Sequence, residues 1–260
     1  MRLGSVITVV ALAVPSALAA QGGAFGQNDT AKNLKVLPKT MTRPQVVAVM
    51  QTFTQGLGVD CAFCHHTGPG VPRDSQDFAS DEKANKIKAR AMLQMAMDIN
   101  KVYLAKLDTR SDPPVSVQCV TCHRGQQTPR MIDDVVTQTI AGKGLDSAIA
   151  TYRQLRTEFY GSFGYDFTER PLIRVANGLM RQGPDLPPPQ PDNALAILKL
   201  NQEFFPQSAL TEVAMGLAYR AKGDTVQAKA HWQQALKLDP NNRNAQQLLS
   251  GRGGRGGRGQ

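Results

Sequence analysis

All four cysteines of the chain fall in two five-residue runs, Cys61-Ala62-Phe63-Cys64-His65 and Cys119-Val120-Thr121-Cys122-His123. Each run reads C-x-x-C-H, the attachment signature of c-type haem. The chemistry accounts for the spacing. Two thiols must each add to one vinyl group of the same porphyrin, so they need a short, fixed separation on one turn. The histidine directly after the second thiol is then held under the ring, where its imidazole binds the iron. Zinc sites instead pair CxxC units about 15–20 residues apart, whereas Cys64 and Cys119 stand 55 apart (119 minus 64). Disulfides would leave both trailing histidines unexplained. The motifs therefore predict two covalently bound haem c groups, one on Cys61 and Cys64 and one on Cys119 and Cys122. His65 and His123 are the expected proximal iron ligands.

The N-terminus reads as a secretory signal peptide over residues 1–20. Arg2 is a short basic start, Val6 to Val14 an apolar run, and Ala17-Leu18-Ala19 a small-residue cleavage site. The run is too short to span a bilayer comfortably. Export to the periplasm or beyond fits the motifs, because c-type haem is attached outside the cytoplasm. The remaining chain, about 240 residues, is long enough for one large or two small domains. The formal charge of +9 falls to +5 once Arg2 and the tail residues Arg252, Arg255 and Arg258 are set aside. An excess of that size helps docking to an acidic redox partner and is equally an ordinary solubility charge. No interleaving of basic and aromatic residues points to nucleic acid.

Four segments are expected: the signal peptide, a cytochrome domain over 21–138, a helical domain over 139–250, and a disordered Gly/Arg tail over 251–260. Residues 21–40 read as a polar leader strapped across the cytochrome domain. A helix is expected to begin near Thr42, with Thr42 as N-cap and Pro44 in the first turn. It carries Val46, Val47, Met50 and Phe53 on one face and ends at Gly56 and Gly58. From its spacing Met50 can offer a thioether to the first iron, and core filler is the other reading of the same residue. A second helix is expected from Ser80 to about Leu107, with Ser80 as N-cap and Asp81 and Glu82 in the first turn. Its apolar stripe runs Ala84, Ile87, Ala91, Met95, Ile99, Val102. Periodicity does not choose between Met92, Met95 and Met97 as a ligand, although Met95 continues the stripe and so reads as core.

The segments LGVDCAFCH, KARAMLQMAMDIN and CVTCHRGQQTP, in that order, resemble the cytochrome subunit of photosynthetic reaction centres. The resemblance covers about Arg43 to Pro129. It implies a two-haem unit in which each haem is served by a helix, a turn and CxxCH. It places the sixth ligands on Met50 for the first iron and Met92 for the second. The distant histidine that replaces methionine at one haem of the four-haem members would fall near Lys106, so both sites are expected to be His/Met. Two features depart from the family. This chain has one two-haem unit instead of two, and it continues into a C-terminal region the photosynthetic subunit lacks.

That region has a helical repeat. Pro206 and Pro240 are 34 residues apart, the tetratricopeptide period. The unit ending at Pro240 carries Gly216, Tyr219, Gly223, Ala228, Trp232 and Ala235 in the pattern. Residues 140–249 are read as a short tetratricopeptide-like stack. The run Pro184 to Pro191 is expected to be a stiff linker within it, and His231 to lie on its surface. The chain as a whole is expected to be all-α: a small dihaem cytochrome c domain followed by the helical stack. The function expected is single-electron transfer between a donor and an acceptor protein, with the repeat domain docking a further protein partner and an association with a membrane complex. The rival readings are a dihaem peroxidase-like enzyme and a structural subunit of a larger respiratory complex.

Overall fold

A computed structural model describes residues 31–72, 75–107 and 111–251. The expected signal peptide and all but the first residue of the Gly/Arg tail lie outside them. Among the described residues the fold is all-α. No strand is formed there, and His66 and Asp77 pair in an isolated antiparallel bridge.

Helix α1 spans Arg43–Leu57. Pro44 sits in its first turn, and the Thr42 N–H donates to Gln45 Oε1 at 2.8 Å. It ends at Gly58, whose φ of 65° a side chain would strain. Helix α2 spans Ala84–Asp98 and runs on without a break through a π turn, Ile99–Tyr103, and a 3-10 turn, Leu104–Lys106. Its start corrects the expected one by four residues. Ser80 does not cap it. Asp77 Oδ1 accepts the N–H groups of Ala79 and Ser80 at 2.7 and 2.9 Å, and Ser80 Oγ accepts that of Glu82. Lys86 Nζ donates to the carbonyls of Phe78, Ala79 and Ser80. These bonds hold 77–82 in a turn, and Asp81 faces Arg90, Lys86 and Asn33 instead of a helix end. The Arg90 guanidinium, and after it Asn33, hold the Asp81 carboxyl far below the usual carboxylate range. Asn33 also bonds Ala79 O, so the leader does strap this unit. Helix α3, Cys119–His123, is the second C-x-x-C-H run itself.

The C-terminal region contains α4 (Ile132–Lys143), α5 (Leu145–Phe159), α6 (Arg170–Leu179), α7 (Pro191–Phe204), α8 (Ala209–Ala221), α9 (Thr225–Leu238) and α10 (Arg243–Leu249). They pack as pairs, α4 with α5, α6 with α7 and α8 with α9. The pairs stack, α4 on α6 and α6 on α8, as a helical solenoid does. Ile132 and Val136 of α4 are buried in the same core as Tyr152, Leu172 and Leu198. The stack therefore starts at Ile132, and a division after residue 138 or 139 runs through α4. The 34-residue spacing is structural: Pro206 follows α7 and Pro240 follows α9 at the same remove. The proline run between α6 and α7 loops out and is closed by the Gln190 N–H on Leu179 O at 2.8 Å, so it joins a packed pair.

Helices α8 and α9 meet most closely at Gly216. A Cβ there would stand 2.2 Å from Trp232 Nε1, whose N–H donates to Val213 O at 3.3 Å. Gly216→Ala is expected to force the buried indole aside and cost about 2–3 kcal/mol. Urea denaturation of the full chain checks this, and an unchanged midpoint would refute it.

Candidate haem-binding site

Both C-x-x-C-H runs form one helical turn, so the first and fourth residues stand on the same side. In the first run Cys61–Phe63 is a 3-10 turn. Asp60 Oδ1 caps it by accepting the Phe63 N–H at 3.2 Å, and the His65 N–H closes onto Cys61 O at 2.9 Å. In the second run the Gln118 N–H donates to Thr121 Oγ1 at 3.0 Å. No disulfide joins the four thiols. Burial raises the Cys64 thiol above its usual pKa, against the pull of Lys83, and burial raises Cys119 likewise.

The two histidines differ. His123 Nδ1 lies 2.8 Å from the Gln126 carbonyl oxygen, so it carries the proton and donates. That tautomer leaves Nε2 with its lone pair, as a metal ligand requires. His65 Nδ1 is buried and makes no well-aligned hydrogen bond among the described residues. Burial, and then Lys86, push the His65 pKa down against the pull of the Phe78 backbone, which favours the neutral, ligating imidazole. Phe78 packs beside its ring with centroids 5.3 Å apart.

Helix α2 reaches both runs. At its start Lys83 Nζ donates to Ala62 O and Asn85 Nδ2 to Phe63 O. In its π turn Asn100 donates from Nδ2 to Val117 O at 2.8 Å and accepts the Val117 N–H on Oδ1 at 2.7 Å. Helix α1 meets α3 at Gly56, where a Cβ would lie 2.9 Å from Cys119 Cβ. The Gly125 N–H donates to Gly56 O at 2.9 Å. Lys83, Asn85, Asn100 and Gln126 had no assigned role in the sequence. Asn100 alone left a signal, a residue that weakens helices inside a strong helical pattern.

Of the predicted sixth ligands, Met50 is half-buried on α1 and Met92 is 46 % exposed on α2. Met95, expected in the core, is 47 % exposed and packs no better than Met92, so burial does not separate them. Ile87 and Val102 of the same stripe are exposed too. Between residues 31 and 130 only Gly56 and Gln126 are buried among the described residues. Side chains there do not make a core on one another. Apolar helix faces, paired thiols and imidazoles with a free nitrogen fit a flat, hydrophobic, iron-bearing ring. His66 is exposed. His231 is not a plain surface residue: its Nδ1 lies 2.7 Å from Glu212 Oε2 and its ring stacks on Tyr219.

Asn100→Ala is expected to leave both Val117 backbone groups without partners. The lost pair is worth about 1.5–2 kcal/mol, so hydrogen exchange of the Val117 amide should quicken about tenfold or more. Unchanged protection would show that Asn100 does not hold this segment.

Residues 14–178 match the model of the photosynthetic reaction centre cytochrome C subunit family, and residues 212–242 match a tetratricopeptide repeat. The photosynthetic reaction center cytochrome c subunit of Roseobacter denitrificans is 31% identical over 114 residues, covering 43% of this chain and 29% of that protein. Cytochrome c-554 of Chloroflexus aurantiacus is 37% identical over 84 residues, 32% of this chain and 18% of its own length. The aligned segments thus span less than a third of either relative. The family match covers more than half of this chain, and the chain belongs to the photosynthetic reaction-centre cytochrome c subunit family, with a tetratricopeptide repeat following the cytochrome region.

Proposed function

We propose that the chain is an exported dihaem cytochrome c that passes single electrons between protein partners, and that its helical stack docks one of them. The observation that carries this reading is the pair of capped C-x-x-C-H turns, each followed by a histidine suited to bind iron. In this reading Cys61, Cys64 and His65 hold one haem and Cys119, Cys122 and His123 the other. Met50 and Met92 close the sixth positions. Bound haem supplies a one-electron iron couple. The protein's part is to fix the proximal imidazoles, cover the ring faces with α1 and α2, and present thioethers that raise the potential and keep other ligands off. Neither spare histidine favours an enzyme. His66 points to solvent, and His231 is held by Glu212 in the helical stack.

The groove between α6 and α8 supports the docking role. Arg170, Arg174 and Asn177 line it over a floor of Ile173, Val213 and Leu217. Its lining has no carboxylate, although Arg174 Nε bonds Asp133 beside it at 2.7 Å. Guanidinium and amide groups over an apolar floor suit an acidic segment of a partner. Among the described residues no helix is long and apolar enough to cross a membrane. Association with a membrane complex would then run through such protein contacts.

The wild-type chain should carry two haems that resist acid-acetone extraction, and Cys61→Ser with Cys64→Ser should carry one. Met92→Ala should remove about half of the weak near-infrared band of ferric His/Met iron, and Met95→Leu should keep it, with a stability change under about 1.5 kcal/mol. One haem in the wild type, or loss of the band in Met95→Leu alone, would overturn these assignments. A glutamate-rich peptide should bind the full chain less tightly as salt rises. Arg170→Glu should lower that affinity about tenfold, near the value of one charge-assisted hydrogen bond. Binding indifferent to both changes would remove the groove from the docking role.

A further inference from the structure

We infer that Gln126 is a positioning residue that ties the setting of the second iron site to the helical stack. The inference rests on the two-haem reading above. The Gln126 backbone is joined to His123 twice: its N–H donates to His123 O at 2.9 Å, and its carbonyl accepts from His123 Nδ1 at 2.8 Å. Where that carbonyl stands decides how the imidazole is turned and how strongly Nδ1–H is held.

The Gln126 side chain then leaves the cytochrome region. The residue is 8 % exposed, and its Nε2 donates to Gly164 O at 2.7 Å, across 38 residues of chain. Gly164 belongs to the loop between α5 and α6, and this loop is stiff. Ser162 Oγ donates to Phe159 O at 2.7 Å and accepts the Gly164 N–H at 3.2 Å. Phe159 and Tyr165 meet edge-on at 5.4 Å, and both pack on the buried core of the stack. Space at the joint is tight: a Cβ on Gly164 would lie 3.1 Å from Gln126 Nε2. The second imidazole is thus tied to the loop between α5 and α6 through the buried Gln126 amide. His65 Nδ1 makes no well-aligned hydrogen bond among the described residues.

A hydrogen bond from Nδ1–H makes an imidazole a stronger donor, and a stronger donor favours ferric iron. Loosening Gln126 should weaken that bond and raise the potential of the second haem alone. Potentiometric titration and electron paramagnetic resonance of the full, haem-loaded chain read this directly. Gln126→Leu should move one midpoint upward and change one low-spin ferric signal, with the other midpoint and signal unmoved. Gly164→Ala, which presses on the same amide from the far side, should move the same midpoint and serves if the leucine variant does not fold. His231→Ala, elsewhere in the stack, should move neither. Two bound haems with both midpoints unmoved in Gln126→Leu and Gly164→Ala would overturn the link and leave the two-haem reading intact. A wild-type count of one haem would sink the two-haem reading, and mapping that haem to Cys61 and Cys64 would overturn the link with it.

Discussion

The cytochrome region depends on one backbone contact. The turn that ends α1 lies directly against the turn that ends the second C-x-x-C-H run, with the Gly125 N–H on Gly56 O. A Cβ on Gly58 would lie 2.3 Å from Gly125 O, and one on Gly56 would meet Cys119. No side chain fits between these segments. Because the side chains of this region bury little against each other, its shape is set by such main-chain contacts and by polar clamps. Lys83 and Asn85 hold the first run, and Asn100 holds the approach to the second. A region built this way keeps its helix faces apolar and available on one side, which is where a large flat cofactor is accommodated.

The helical stack follows a different rule. Tyr152, Leu172, Ile197 and Leu198 are fully buried, and small residues let the helices approach. Arg156 shows how a charge is accommodated at the edge of that core. Its guanidinium lies 4.2 Å from the centre of the Phe204 ring and 4.5 Å from that of Tyr160, while Nη1 donates to Phe167 O at 2.9 Å. This part is ordered around a continuous buried apolar core, whereas the cytochrome region is arranged around its motifs.

The parts legible in the sequence are those with a rigid local rule. The C-x-x-C-H runs, Gly58 at the end of α1 and the spacing of Pro206 from Pro240 each follow from local chemistry or a fixed period, and each stands where its pattern placed it. The parts that were not legible depend on long-range partners. The start of α2 was misplaced because Ser80 and Asp81 look like a cap, while Asp77 and Lys86 hold them in a turn. Met95 was assigned to a core from its periodicity, but a stripe identifies a face without naming what covers it. The stack begins at α4 because Ile132 and Val136 reach Tyr152 and Leu172, a contact no local pattern announces. Gln126 could not be read at all, since its role is a bond to Gly164 made across the two regions.

The two motifs are therefore not equivalent, although their sequences are. Among the described residues the first is held within the cytochrome region, by Lys83 and Asn85 at the start of α2. The second is held by α1 at Gly56, by Asn100 across the π turn, and by Gln126 on the helical stack. The stack meets the second run through the Gln126 side chain on Gly164 O at 2.7 Å and through the short backbone span from Gln126 to α4. Under the proposed function, such an asymmetry would bear on one potential and not the other. The order of the sites along the chain has the same sense, with the second motif next to the stack and the first furthest from it.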